Sequence, residues 1–293
     1  MRFRALISGI LAVLVLACSA QIPTLQPMAT VQPPLEENRS LGRDGASWAN
    51  VKLQGLWGSW QVRPQAQDAL VQGYFRYNVA EWKPEVSQST KDGDTQATLR
   101  QGLGLQIPGG GSDVYTNVWN VALATGMPMN LAMDLGSGEA TVDASGLSLS
   151  GLSFNGADTD LRLSFSSVNP EPLTTLRVVA GAGDTILSGL GNANLDRLSV
   201  TGGAGLIDVD FNGAWSRGAL ADITAGAGKI TIRVPQGLGV RVVLIGAPVR
   251  AVKTSGFVER GQDAYVNSSY GVAPLTLTIH LTVGVGDIVL ISQ

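Results

Sequence analysis

The chain of 293 residues has one cysteine, Cys18, and one histidine, His280. A single thiol excludes any disulfide within the chain, and its place near the start excludes a Cys nucleophile or thiolate metal site in the body of the fold. A single histidine excludes a His-pair zinc site, and no Gly-x-Ser-x-Gly elbow is present. Charge is sparse too, at 15% Asp, Glu, Lys and Arg against a usual ~25%. The net charge of −3 gives no electrostatic case for nucleic acid or for attraction to anionic lipid. Beyond the first twenty residues no segment is long and uniformly apolar, so no later stretch reads as a spanning helix.

What is present begins with MRFRALISGILAVLVLACSAQ. Arg2 and Arg4 form a charged start, Ala5 to Ala17 is apolar, and Cys18 follows directly, the layout of an export signal. Val15-Leu16-Ala17-Cys18 looks like a bacterial lipobox, which predicts a signal peptide over residues 1–17 and acylation of Cys18. The other reading is an ordinary signal peptide cut after Ala20, giving a secreted product. Residues 18–47 hold Pro23, Pro27, Pro33 and Pro34 among polar residues, without an apolar period, and read as a tether. The expected location is extracytoplasmic, lipid-anchored to a bacterial membrane through Cys18.

The rest, residues 48–293, is glycine-rich: the chain has 37 Gly, above the ordinary ~7%. Short runs of Val, Ile, Leu and Thr between glycines suit strands and tight turns rather than helices. One pattern recurs: GSGEATV at Gly136, GAGDTIL at Gly181, GAGKITI at Gly226 and GVGDIVL at Gly284. Aligned on the residue after the second Gly, the copies place Glu139, Asp160, Asp184, Leu206, Lys229 and Asp287 in one outward column. The next position carries Ala140, Leu161, Thr185, Ile207, Ile230 and Ile288. The period is two, the strand period, and it continues upstream through Leu131 and Met133, or Leu176 and Val178.

Each unit therefore reads as strand, Gly corner, strand. Ala157-Asp158-Thr159 lacks both glycines yet keeps the core positions. Starts fall at 136, 157, 181, 203 and 226, and the interval from 226 to 284 leaves room for two or three degenerate turns, including Val240 to Leu244. Units of about 22 residues that cannot bury their own apolar face stack on one another, so the expected fold is all-β, a β-solenoid-like stack. Residues 48–103 read as its amino-terminal capping part, with a hairpin turning at Lys91-Asp92-Gly93-Asp94. A separate small domain ending at the Gly-rich IPGGGSD is the other reading.

Ligand motifs fail on inspection. GAGKIT has Ile230 where a P-loop needs a hydroxyl, the corners lead into strands rather than the helix of a dinucleotide fingerprint, and the acid of a calcium nonapeptide arrives one place late, at Asp208. No catalytic residue, metal site or cofactor is assigned. Asp208 and Asp210, on alternate outward positions, form the one candidate carboxylate pair; a solvated face is the plainer reading of both, and of the outward column. Trp57, Trp60, Tyr74, Phe75, Tyr77 and Trp82 cluster early. Trp60 belongs to the core by register, whereas Tyr74, Tyr77 and Trp82 are candidate binding rings, with cap packing as the plainer reading.

The segments DALVQGYFRYNVAEWKPEVS, MNLAMDLGSGEATVDASGLSLSGLSFNGADTDLRL, LTTLRVVAGAGDTIL and LADITAGAGKITIRVPQGLGVRV resemble the toast-rack and LiaF-like C-terminal domain family of bacterial envelope proteins. That resemblance implies a non-catalytic β-rich module held at a membrane, in some members within systems responding to cell-wall stress, and it transfers no catalytic residue. The expected partners are the membrane, through lipidated Cys18, and an envelope protein or wall polymer. A carbohydrate-active solenoid enzyme and a self-assembling, adhesin-like surface protein are the alternatives.

Overall fold

The computed structural model describes residues 30–65, 69–102, 114–246 and 251–293. Cys18, the signal segment and the IPGGGSD stretch lie outside them. The described residues are all-β, with no α-helix. The strands are β1 (Val31–Gly42), β2 (Trp48–Gln65), β3 (Ala69–Val79), β4 (Pro84–Lys91), β5 (Asp94–Gln101) and β6 (Asn117–Ala124). They continue with β7 (Pro128–Asp143), β8 (Ser148–Ser164), β9 (Thr175–Ala182), β10 (Thr185–Ser188), β11 (Arg197–Asp210) and β12 (Ala219–Val234). The last are β13 (Gly239–Ile245), β14 (Ala251–Ser255), β15 (Phe257–Glu259), β16 (Ala264–Asn267) and β17 (Thr276–Ser292).

The repeat is one long strand with a Gly corner at its middle. In β7, Leu131 and Met133 before the corner and Ala140 and Val142 after it are all buried, as a period of two requires when one side faces a core. Neighbouring copies pair parallel and in register: Glu139 opposes Asp160 across β7 and β8, and Lys229 opposes Asp287 across β12 and β17. Equivalent apolar residues thus lie side by side, and each rung covers the exposed apolar flank of the one before it.

The two corner glycines have separate reasons. Gly183, the second of its pair, has φ +99°, a conformation that costs an L side chain strain. Gly181, the first, sits so close to the preceding rung that an added Cβ would overlap the carbonyl oxygen of Ala157. The corner without glycine shows the substitute: Thr159 is buried and its hydroxyl donates to the Gly136 carbonyl at 3.1 Å.

Between rungs the chain returns through short segments that bury Ala144 and Leu147, Phe165 and Leu173, Leu190, Ala193 and Leu195, and Phe211. Asparagines fasten these returns to each other. Asn169, 1% exposed, accepts from the Leu149 amide and donates to the carbonyls of Leu149, Glu171 and Ala193.

Both ends of the stack depart from simple succession. Strand β17 pairs directly with β12, so the copy at Gly284 is the rung after the copy at Gly226. Residues 239–245, expected between those copies, lie beyond β17 instead: β13 pairs with its first half and β14 with its second. The reason is register, since β17 carries the full apolar pattern on both halves while β14 is exposed. The other end mirrors this arrangement. Strand β2 is an interior rung against β7, and β5 and β6 pair with its first and second halves on the far side. Residues 48–103 therefore supply a rung and part of its cover rather than a cap alone, and strands on both sides of the IPGGGSD stretch share β2. The predicted hairpin is present, with Asp92 and Gly93 at φ +54° and +87° linking β4 to β5, the positive-φ pair that a two-residue turn demands.

Part of the expected tether is instead a strand. Residues 31–42 form β1, antiparallel to β3. The pairing skips between Val31 and Leu35, where Pro33 and Pro34 have no N–H to give, and proline is tolerated because β1 is an edge strand. The sequence pattern missed this strand because both of its faces are largely exposed, so no apolar alternation marks it.

Candidate functional site

The second halves of the rungs form a sheet that β6, β3 and β1 extend at the amino-terminal end. Its outward side carries two rows of paired residues. One row runs Arg63, Ala122, Gln72, Ser40; the next runs Gln61, Asn120, Tyr74, Asn38. A cavity of about 550 Å³ lies over these rows, lined also by Arg39 and Gln65. Its shape follows from side-chain size. Ala122 is the smallest side chain in its row, flanked by Arg63 and Gln72 and itself buried, so the depression sits where a long side chain is missing.

The opposite face of the same strands holds it rigid. Under the cavity Phe75 meets Trp119 edge to face with ring centroids 4.5 Å apart, and Trp119 lies tilted over Trp60 at 4.4 Å. Outside them, β1 is fastened by Glu37, which accepts from the Tyr77 hydroxyl at 2.6 Å and pairs with Arg39 at 2.5 Å. The Tyr77 hydrogen bond, opposed by burial and helped by Arg39 and Lys83, holds the Glu37 carboxyl below its usual range. Burial and the same Glu37 contact push the Tyr77 hydroxyl up to about 12.

The fold separates the candidate rings. Tyr74 lines the cavity. Tyr77 and Trp82 are each 2% exposed and offer no ring to a ligand. Tyr77 lies three positions after Tyr74 on β3 and so faces the opposite, core side. Trp82 follows β3 in a short turn and packs on Trp57 and Tyr115, with centroids 5.4 and 5.7 Å away. Trp60 is core, as its register requires.

The carboxylate pair is engaged elsewhere. Asp208 pairs with Arg233 on the next rung, and Asp210 accepts from the Asn212 amide at 3.0 Å and from its side chain at 2.6 Å. His280 points outward to Asp222, 2.9 Å away, which also binds Arg197. The outward corner column is only partly a solvated face. Asp160 accepts from the Asp184 backbone N–H at 2.8 Å, and Asp184 from that of Leu206 at 2.9 Å. Each acid thus caps the corner of the following rung, a role the Asp-after-Gly position shows only once parallel register is known. Among the described residues no cluster of three or more His, Cys, Asp or Glu is placed to hold a metal, and no helix is long and apolar enough to cross a membrane.

The family model described as the N-terminal domain of toast_rack, DUF2154, matches residues 31–171 and 167–233. Its start coincides with the start of β1. No curated protein matches the chain. Among solved structures, a candidate cell adhesion protein from Clostridium sporogenes is 24% identical, with TM-score 0.49, covering 89% of this chain and 100% of its own. A candidate adhesin from Bacteroides fragilis is 10% identical, with TM-score 0.41, covering 88% of this chain and 97% of its own. At TM-scores this low the likenesses say nothing of what this chain binds.

Proposed function

The chain belongs to the family of the N-terminal domain of toast_rack, and from that premise we propose that it is a non-catalytic binding or scaffold module at the outer side of a bacterial membrane. In this reading Cys18 is lipidated, the residues between it and β1 form the tether, and the rungs make a β-solenoid-like body. Two or more acyl chains give stable anchoring where one gives only marginal hold. The shared plan with LiaF-like domains, a β-rich module kept at a membrane, belongs to the same proposal, as does any link to cell-wall stress.

The observation that carries the reading is where the polar side chains are used. Asp208, Asp210, Asp160 and Asp184 are engaged in bonds along or between rungs, whereas Tyr74, Asn120 and Arg63 are gathered around a cavity on a rigid aromatic base. Such an arrangement supports recognition by positioned polar groups rather than acid–base chemistry by a carboxylate pair. Metabolic labelling with an alkyne fatty acid tests the anchored half of the proposal: label and membrane fractionation are expected in the parent and lost in Cys18→Ser. Unchanged labelling in that variant contradicts it. For the non-catalytic half, any glycan cleavage detected in the purified protein that Asp208→Asn/Asp210→Asn abolishes contradicts the reading.

A further inference from the structure

We propose that the cavity over Ala122 is a binding site for an acidic sugar residue within a glycan chain. The inference rests on the binding-module reading and gives it a ligand class.

The lining selects for negative charge although the protein as a whole carries −3. Two guanidinium-bearing residues, Arg39 and Arg63, line the cavity and no carboxylate does. Arg39 is already paired with Glu37. Arg63 forms no ion pair among the described residues, and Asp143, which follows the in-register Val62–Val142 pair on the next rung, accepts from the Ser145 amide at 3.0 Å. A guanidinium with a planar fork of donors and no resident acid matches a carboxylate or phosphate on a ligand.

The other groups fit the rest of a sugar. Asn120 and Asn38 project carboxamides, each with a donor and an acceptor end, from the second row on either side of Tyr74. Tyr74 stands between Asn120 and Asn38 and presents a flat apolar ring, its hydroxyl already hydrogen-bonded to Glu36. A ring face for sugar C–H groups, carboxamides for hydroxyls and one guanidinium for an acid are the three things an acidic sugar requires. A volume of about 550 Å³ falls in the range of small-ligand sites and takes one or two sugar units.

The test uses the full-length protein in mild detergent, titrated calorimetrically with trigalacturonate, with neutral maltotriose and with inorganic phosphate. Trigalacturonate is expected to bind about tenfold or more tightly than maltotriose, and Arg63→Ala to remove that preference, the scale expected for a charge-assisted hydrogen bond. Tyr74→Ala is expected to weaken both sugars, and Ala122→Leu to fill the floor and abolish binding; Arg177→Ala, on the sheet of the first halves, leaves affinity unchanged. Equal affinity for the two sugars, or unchanged trigalacturonate binding in Arg63→Ala, overturns the inference while leaving a neutral binding site and the module reading standing. Binding of phosphate as tight as that of trigalacturonate, or no sugar binding at all, also overturns it. Thermal melts of Arg63→Ala and Tyr74→Ala matching the parent ensure that lost affinity is not lost folding.

Discussion

Replacing Gly183 by alanine tests the corner at its most constrained point. The residue has φ +99°, where an L side chain costs ~1–3 kcal/mol. Its new Cβ would lie 2.7 Å from the Thr159 carbonyl oxygen on the preceding rung, so backbone, not a flexible side-chain end, must give way. Strain and displacement together are expected to cost about 2–4 kcal/mol, in the range of a special backbone position combined with overpacking. For a body of this size ~1 kcal/mol shifts Tm by roughly 2–4 °C, so Gly183→Ala should melt about 4–16 °C below the parent. Gly237→Ala is the control, because its Cβ meets nothing within 4 Å and its φ is not positive; there alanine should be neutral or raise Tm slightly through the unfolded chain. Differential scanning calorimetry at one scan rate reads both. A Gly183→Ala melt within 1–2 °C of the parent, a margin of about 0.5 kcal/mol, would refute the reasoning that backbone approach and φ set the corner.

Asn169→Ala removes four hydrogen bonds at a buried position and should cost about 2–4 kcal/mol in chemical denaturation, while an effect below 1 kcal/mol would show the returns are not held by that side chain. Asp184→Ala deprives the Leu206 amide of its acceptor and should cost ~1 kcal/mol, with Asp184→Asn retaining most of the stability because its carbonyl oxygen still accepts. Glu37 has a folded pKa below the ordinary 4.5, so its contribution is present above about that pH and lost as pH falls through the folded value. The parent should therefore lose more Tm as pH falls below 4.5 than Glu37→Gln does, and parallel pH profiles would contradict the fastening of β1. Tyr77, raised to about 12, works in the opposite direction: its contribution is whole below about pH 10 and falls as pH rises toward 12.

The corners were legible because their signal is local. A Gly-x-Gly between two alternating runs states a bend, and the alternation states which side faces inward, as Leu131, Met133, Ala140 and Val142 show. The Asp92-Gly93 turn was legible for the same reason. What failed required knowledge of neighbours. Strand β17 inserts between β12 and β13, and spacing along a chain cannot show that a later segment takes an earlier place. Strand β1 lacks an apolar face, and its prolines pointed to a tether. Tyr77 and Trp82 were offered as binding rings because aromatic density alone does not separate a pleat that faces the core from one that faces solvent, whereas the pairing of Tyr74 with Asn120 does. The cavity itself was invisible, since it depends on Ala122 standing in register between Arg63 and Gln72, three residues distant in sequence.

The most direct test of the central claim places a photo-crosslinking residue at Ser40, on the rim of the cavity, and separately at Arg177, on the sheet of the first halves, in living cells. The account predicts a defined envelope molecule crosslinked from position 40, absent from position 177 and lost when Cys18→Ser removes the anchor. Crosslinks that are identical from both positions, or that persist without the anchor, would contradict a membrane-held binding module that works through this face.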